Sequence, residues 1–481
     1  MMRSLYAGVS GLQNHQTRMD VIGNNVANVN TTGFKKGRVN FQDLLSQTQA
    51  GAARPNERIG GVNPKQVGLG VNIASIDTIH TQGSLQTTGV KTDVAIQGEG
   101  FFIFRDGDQS LYSRAGAFSL DAEGTLVNPS NGMRLQGWQA QTVDGQTFVN
   151  PSSEIGDLRI PIGSKDPAKA TSEVFIASNL NKLTPTIPAD NPSAEAVRAG
   201  TWQTSYEIFD PFGGNLRLEI DYTRAPEDQG ANLWQGTMRL VDQDGNEVPA
   251  QLSVGGTANG DGDNTFLIQF DNFGTLESLQ NAAGGIDNVD DLQIQVQFQV
   301  PETAIPDVVD PEEVNPAFIG APGDPITQTF NVNLGEVGSF TDSTTQFASE
   351  SSNKIKRQDG YTMGYLQDFR IDQSGTVTGI FSNGTNRALG QIALASFVNP
   401  GGLEKAGENN YVVTINSGEA DIGPSGQAGK GKFIAGALEM SNVDLATEFT
   451  DMIVTQRGFQ SNSKTIQTSD QMLQELLTLK R

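Results

Sequence analysis

The two ends of this 481-residue chain carry the same kind of apolar stripe. Leu5, Leu12, Met19 and Val26 recur every seven residues, with Ile22 and Val29 on intervening positions. Near the other end Leu445, Met452, Phe459, Ile466 and Leu473 do the same, with Phe449 and Leu477 on a companion seam. Seven-residue spacing held over several turns marks helices that pack lengthwise against other helices. Either stripe alone would also suit an ordinary amphipathic helix of a globular core. In the first helix, however, Gly8, Gly11 and Gly23 each cost roughly 0.8–1 kcal/mol against alanine, and Gly8 and His15 interrupt the apolar seam. That helix is marginal by itself. The second is better specified, with Ser441 and Asp444 reading as a capping box, yet Gln456, Ser463 and Asp470 sit on its second seam. Burying one stripe residue stabilises by about 1.5–3 kcal/mol, so both helices are expected to order on a surface supplied by other copies of the chain.

A chain this long exceeds a single core, and two to four domains are expected. With 55 glycines and only 18% charged residues, the interior reads as turn-rich and β-rich. The predicted architecture is multidomain and mainly β with α-helical termini, the end helices forming a coiled coil around nested β domains. Cysteine is absent, which excludes disulfides, thiolate metal sites and thiol catalysis. No run of 18 apolar residues occurs, so no membrane insertion is expected. The first residues lack the apolar core of a secretory signal, and any exit from the cytoplasm would use another route.

The formal charge of −23 is concentrated in the middle of the chain. Residues 185–330 hold 24 acidic side chains against four arginines, a balance of −20. Such a surface repels nucleic acid and anionic membranes. Punctuation and alternation then divide the chain into terminal helical segments at 1–33 and 438–481, an extended polar connector at 34–70, an inner β domain from 71–164 and 351–437, and an inserted acidic outer β domain at 165–350. Strands are expected at Val71–Ile76, Phe101–Phe104, Arg217–Tyr222, Leu292–Phe298 and Tyr411–Ile415. Pro301, Pro306, Pro311 and Pro316 among acidic neighbours read as an exposed loop.

Catalytic chemistry finds little footing. The two histidines, His15 and His80, fall on a helix seam and in a strand without an evident nucleophile or metal partner. Gly423–Lys430 is one residue too long for a phosphate loop, and Gly431 stands where a magnesium-holding hydroxyl belongs. Asn259, Asp261 and Asp263 begin like a calcium loop, but Asn264 and Phe270 replace its glycine and final glutamate. No catalytic, metal or cofactor-binding residue is assigned, and no cofactor is expected.

At the end of the first helix, Asn24-Asn25-Val26-Ala27-Asn28-Val29-Asn30-Thr31-Thr32-Gly33-Phe34-Lys35 closely resembles the N-terminal signature of the bacterial flagellar rod and hook axial family. Asp93–Phe102 and Tyr112–Phe118 resemble that family's first β-domain blocks, with Ala117 where the family often has asparagine. Leu438–Asp444 and Gln456–Gln460 resemble its C-terminal helix. Distal rod members are much shorter and lack a large middle domain, whereas hook members have one. Length, the insert, and the hook-like segments Asn179–Asn181 and Tyr206–Gly213 place the chain with the hook branch. The resemblance implies a homopolymer forming a curved hollow tube that passes motor torque to the filament while bending, with the end helices innermost. It further implies a distal rod protein, a hook cap, a hook–filament junction protein and the flagellar type III export apparatus as partners. The location implied is the basal body and hook, extracellular or periplasmic. Phe41-Gln42-Asp43-Leu44-Leu45 resembles the family's export-gate segment, with Phe41 and Leu45 as its apolar contacts; the alternative is simple packing in the connector. Competing readings are a distal rod-type protein and a surface adhesin whose acidic domain binds a ligand.

Overall fold

The computed structural model describes the chain apart from residues 1, 53, 55–59, 108, 144–145, 189–192, 226–231, 255–256, 260–262, 282–292, 301–325 and 479–481. The proline-spaced acidic loop, Asp261 and Leu292 therefore lie outside the described residues, as does the side chain of Leu477. The rest forms two compact units. Unit 1 comprises Met1–Ile162, Asp368–Ile380 and Asn386–Arg481; unit 2 comprises Gly163–Gln367 and Phe381–Thr385.

Unit 1 begins with helix α1 (Met2–Ala27) and ends with α3 (Leu445–Thr478); the short α2 (Ala194–Gly200) belongs to unit 2. The cap of α3 is Asp444 rather than Ser441: its carboxylate accepts from the Ala446 amide at 3.0 Å and the Thr447 hydroxyl at 2.8 Å. Ser441 instead accepts from the Val443 amide at 3.3 Å, closing the turn before the helix. A cap must sit directly beside the first free amides, and only Asp444 does.

The segment after α1 differs from the extended connector its polar composition suggests. Gly37–Asp43 pairs antiparallel with Val71–Thr78, and Ser46–Ala50 pairs with Lys65–Gly68, making a two-stranded arm. Backbone pairing carries this arm, so no apolar alternation announced it between 44 and 70. Val71–Thr78 thus belongs to the arm. In the inner sheet Phe101–Asp106 pairs with Gln109–Ser113 across the Asp106-Gly107 turn, and the path continues to Asn410–Val412 and Glu404–Gly407 on one side. On the other side lie Arg134–Gln139, Asn386–Ile392 and Thr376–Phe381. The strand expected over 411–415 stops at Val412, where Ser417 and Thr414 form a turn and leave Ile415 fully exposed. Phe101, Ile103, Tyr112, Trp138 and Tyr411 form one core cluster of this sheet.

Unit 2 is a pair of sheets sharing one core. Glu173–Asn181 alternates exposed and buried along its length, as a strand with one wet face must. It pairs with Ser352–Gln358, which brings 352–358 into unit 2 although composition ended the insert at 350. The second sheet runs Thr201–Phe209, Asn215–Arg224, Leu233–Val241, Thr265–Phe270 and Leu276–Asn281. Val174, Ile176, Phe298 and Phe330 from the first meet Tyr206, Ile220, Trp234 and Phe266 from the second. Among the described residues no helix is long and apolar enough to cross a membrane.

Candidate functional site: the joined chain ends

The end helices pack antiparallel, but along a different seam from the apolar stripe. Ser4 meets Ser469 (3.4 Å between hydroxyls), a Cβ on Gly8 would lie 3.0 Å from Ile466, and one on Gly11 would lie 2.6 Å from the Asn462 amide. Gly458 packs on the His15 ring, Arg18 pairs with Asp451 at 3.1 Å, and Asn25 donates to Glu448 at 3.1 Å. Positions 4, 8, 11, 15, 18, 22 and 25 alternate steps of four and three, so this is itself a heptad seam. It is small and polar. The residues that seemed to break the apolar stripe are the ones that let the two backbones approach.

The apolar positions consequently divide. Ile22 is buried, whereas Leu5, Leu12, Met19, Val26 and Val29 are half-buried. On α3, Met452, Ile466 and Leu473 are half-buried, while Leu445, Phe449 and Phe459 are exposed at 40%, 49% and 37%. Ile453 joins Leu445 and Phe449 on the open face, while Val454 and Met472 are exposed on the other flank of α3.

The flank of α1 beside this seam rests on the arm. Asn14 donates to the Val71 carbonyl at 2.6 Å, and the Asn25 amide exchanges two 2.9 Å hydrogen bonds with the Gly37 backbone. Phe41 lies under His15 and Arg18, with its ring 5.8 Å from the imidazole and 5.9 Å from the guanidinium carbon. Leu45 is exposed. Burial and Arg18 together lower the pKa of His15.

The signature residues form a lock between the chain ends and the inner β sheet. Asn28 caps the end of α1 by donating to the Asn24 carbonyl at 2.9 Å, and Thr31 donates to Asn28 at 3.1 Å. Ala27 and Asn30 are exposed. Gly33 adopts φ +69°, donates to the Glu439 carbonyl at 2.8 Å, and leaves only 2.6 Å between an added Cβ and the Ala115 nitrogen. Any side chain there would meet backbone. Phe34 is buried beneath the Lys405 ammonium. Lys35, with no exposed side-chain surface, donates to Glu439 at 2.6 Å and to the Thr81 carbonyl at 2.8 Å. Glu439, equally buried, also accepts from Arg114 at 3.3 Å and from the Gly83 amide at 2.9 Å. Burial, outweighing the pull of Glu439, lowers the pKa of Lys35.

His80 stands against this cluster, its ring 5.7 Å from Phe101 and 5.4 Å from Tyr411. Neither ring nitrogen has a hydrogen-bond partner among the described residues. Burial first, then Lys35, Arg114 and Lys405, push its pKa down to about 4. The imidazole is therefore neutral at pH 7. The turn before Lys430 is likewise structural: its ammonium reaches Asp421 at 2.7 Å.

Sequence reasoning missed Glu439, Glu448 and Arg114 as site residues. The usable signal was a lone carboxylate in the small, apolar run Phe433–Met440, but nothing local pairs it with a lysine 404 residues earlier.

These joined ends correspond to known family blocks. The profile described as flagella basal body rod protein matches residues 5–35, and that of the flagellar basal body rod FlgEFG protein C-terminal region matches 434–479. The flagellar hook protein FlgE/F/G D1 domain matches 95–179, and the flagellar basal body protein FlaE D2 domain matches 179–361. Over its full length the chain is 56% identical to the whole flagellar hook protein FlgE of Treponema pallidum and 52% identical to that of Borreliella burgdorferi. The chain belongs to the flagellar hook protein family. It is also 33% identical to the Escherichia coli hook protein over 98% of both chains. In this family member the lock and the polar seam bury Asn25, Phe34 and Lys35 of the matched N-terminal block inside one subunit.

Proposed function

We propose that this chain is a structural subunit of the bacterial flagellar hook that polymerises with its own copies into a curved, hollow tube transmitting torque. The observation that carries this reading is the division of the end helices into a polar seam within the subunit and an uncovered apolar face outside it. Leu445, Phe449, Ile453 and Phe459 have no partner surface of comparable apolarity within the described residues of unit 1. Further helices of the same kind would supply one. Leu5, Leu12, Met19 and Val26 contribute the half-buried edge of the same face.

The signature residues Asn25, Gly33, Phe34 and Lys35 fix how the helices leave the β body of unit 1. The domain plan consistent with this has helical ends, an arm, an inner β body and an acidic outer unit. Export through the flagellar type III apparatus fits the exposed Leu45; Phe41, half-buried against His15, would be available only before folding. A distal rod protein, a hook cap and a hook–filament junction protein are the expected neighbours, and the hook is the location.

Electron microscopy of the purified full-length chain at rising concentration tests the reading. Curved hollow tubes are expected. A chain that stays monomeric at every concentration, or forms only straight rigid rods, would overturn it, the second outcome favouring a rod role.

A further inference from the structure

The lock between the chain ends holds more positive charge than its own carboxylates balance. Lys35 and Arg114 share Glu439, and all three side chains are almost wholly buried. Lys405 adds a third cation: its ammonium donates to the Lys35 carbonyl at 3.3 Å, and burial rather than any carboxylate sets its pKa, which is lowered. Glu99 comes no closer to Arg114 than 3.9 Å, with its side chain 69% exposed, so solvent screens it.

The donors of the lock are short of acceptors in the same place. A guanidinium carries five N–H donors. Arg114 makes one hydrogen bond among the described residues, to Glu439 at 3.3 Å, and its Nε–H is shut off from solvent with no acceptor. The guanidinium carbon lies 5.3 Å from the Phe101 ring. His80 packs on that same ring, and both its nitrogens are likewise shut off without a partner. After burial itself, the charges of Lys35, Arg114 and Lys405 are what lower the His80 pKa, so all three cations bear on the imidazole. Native proteins meet unpaired buried donors with ordered water or an ion. Water would satisfy the donors and leave the charge, whereas an anion answers both. Enclosure favours a halide, which has no further oxygens to be satisfied.

We propose that the lock binds a small monovalent anion of the chloride class beside His80, held by the Nε–H of Arg114, the ring N–H of His80 and the charges of Lys35 and Lys405. The anion completes the joint that ties residues 33–35 to Glu439. Seating of the chain ends on the inner β body therefore depends on the anions around the folded subunit.

The test follows amide exchange by mass spectrometry in full-length chain, below the concentration at which tubes form, as sodium chloride replaces sodium gluconate at constant ionic strength. Exchange at residues 33–36 and 80–83 should slow about tenfold once chloride reaches about ten times its dissociation constant, and bromide should act alike. Chlorine-35 NMR should show line broadening that bromide competes away. Arg114→Met and His80→Phe should each abolish both effects; if the first does not fold, the second, one ring for another, carries the test. Equal exchange in chloride and gluconate, or a chloride effect that survives in His80→Phe, overturns the site. Protection by sulfate without protection by chloride also overturns it, since that marks an open site for a larger anion.

Discussion

Replacing Glu439 by glutamine removes the one buried negative charge that Lys35 and Arg114 share. At an effective dielectric of 20, the gross attraction is about 6 kcal/mol for the 2.6 Å Lys35 pair and about 5 kcal/mol for the 3.3 Å Arg114 pair. Most of that offsets the desolvation of three buried groups. What remains when one partner is lost is an uncompensated buried charge, a destabilisation of about 3–5 kcal/mol. The single oxygen of glutamine can still accept from Lys35 and the Gly83 amide, while its NH2 group faces Arg114 and cannot accept, so the charge and the Arg114 hydrogen bond are lost together. Lys35→Met is the control. It leaves Glu439 paired with Arg114 and should destabilise by about 1–2 kcal/mol, little more than one charged hydrogen bond. Denaturant unfolding followed by hydrogen exchange and mass spectrometry reports the two units separately, which matters because a chain of two units need not unfold in one step. Unit 1 should lose stability in the order Glu439→Gln, then Lys35→Met, with unit 2 unmoved. A Glu439→Gln loss below about 1 kcal/mol, or equal to that of Lys35→Met, would refute the shared-charge argument.

Gly33→Ala should destabilise unit 1 by more than about 2 kcal/mol, since it adds strain at a positive φ to a backbone clash; a melting temperature equal to wild type would contradict the close approach to Ala115. His80 has a folded pKa of about 4 against 6.5 unfolded, so the unfolded state binds the extra proton between those values. Stability is therefore full above pH 6.5 and falls by about 3 kcal/mol as pH drops to 4. His80→Phe should flatten that part of the pH profile, and a parallel profile would show that another group titrates. Asn25→Ala removes the bonds to Gly37 and Glu448 and should cost about 2–3 kcal/mol, read as faster amide exchange throughout α1. Deleting residues 445–481 should leave folded β units that form no tubes.

How much of this was legible in the sequence follows from the range of each interaction. The end helices announced themselves because their spacing is local and repeated. Their partnering did not, since the apolar stripe was the visible pattern and the seam is built from Ser4, Gly8, Gly11, His15 and Asn25, of which Gly8 and His15 look like interruptions until a second helix is laid on them. Alternation in Arg217–Tyr222 marked a strand with one wet face, and the strand Asn215–Arg224 contains it. The arm was opaque, because Ser46–Ala50 and Lys65–Gly68 are exposed throughout and bury no apolar face. The signature could be read as a family mark, yet its physical purpose depends on Glu439, four hundred residues away. Asp444 displaced Ser441 as the cap by a matter of three positions, an error of local geometry that pattern reading cannot resolve.

The central claim is that the apolar face of the end helices, left open within one subunit, is closed by other copies. A helical reconstruction of tubes grown from the purified chain, at a resolution that shows side chains, tests it most directly. Leu445, Phe449, Ile453 and Phe459 should be buried against helices of neighbouring subunits, while Ser4, Gly11 and Asn25 keep their partners on α3 of their own chain. Tubes in which those four side chains face open solvent, or in which α1 pairs along its apolar stripe with its own α3, would contradict the account.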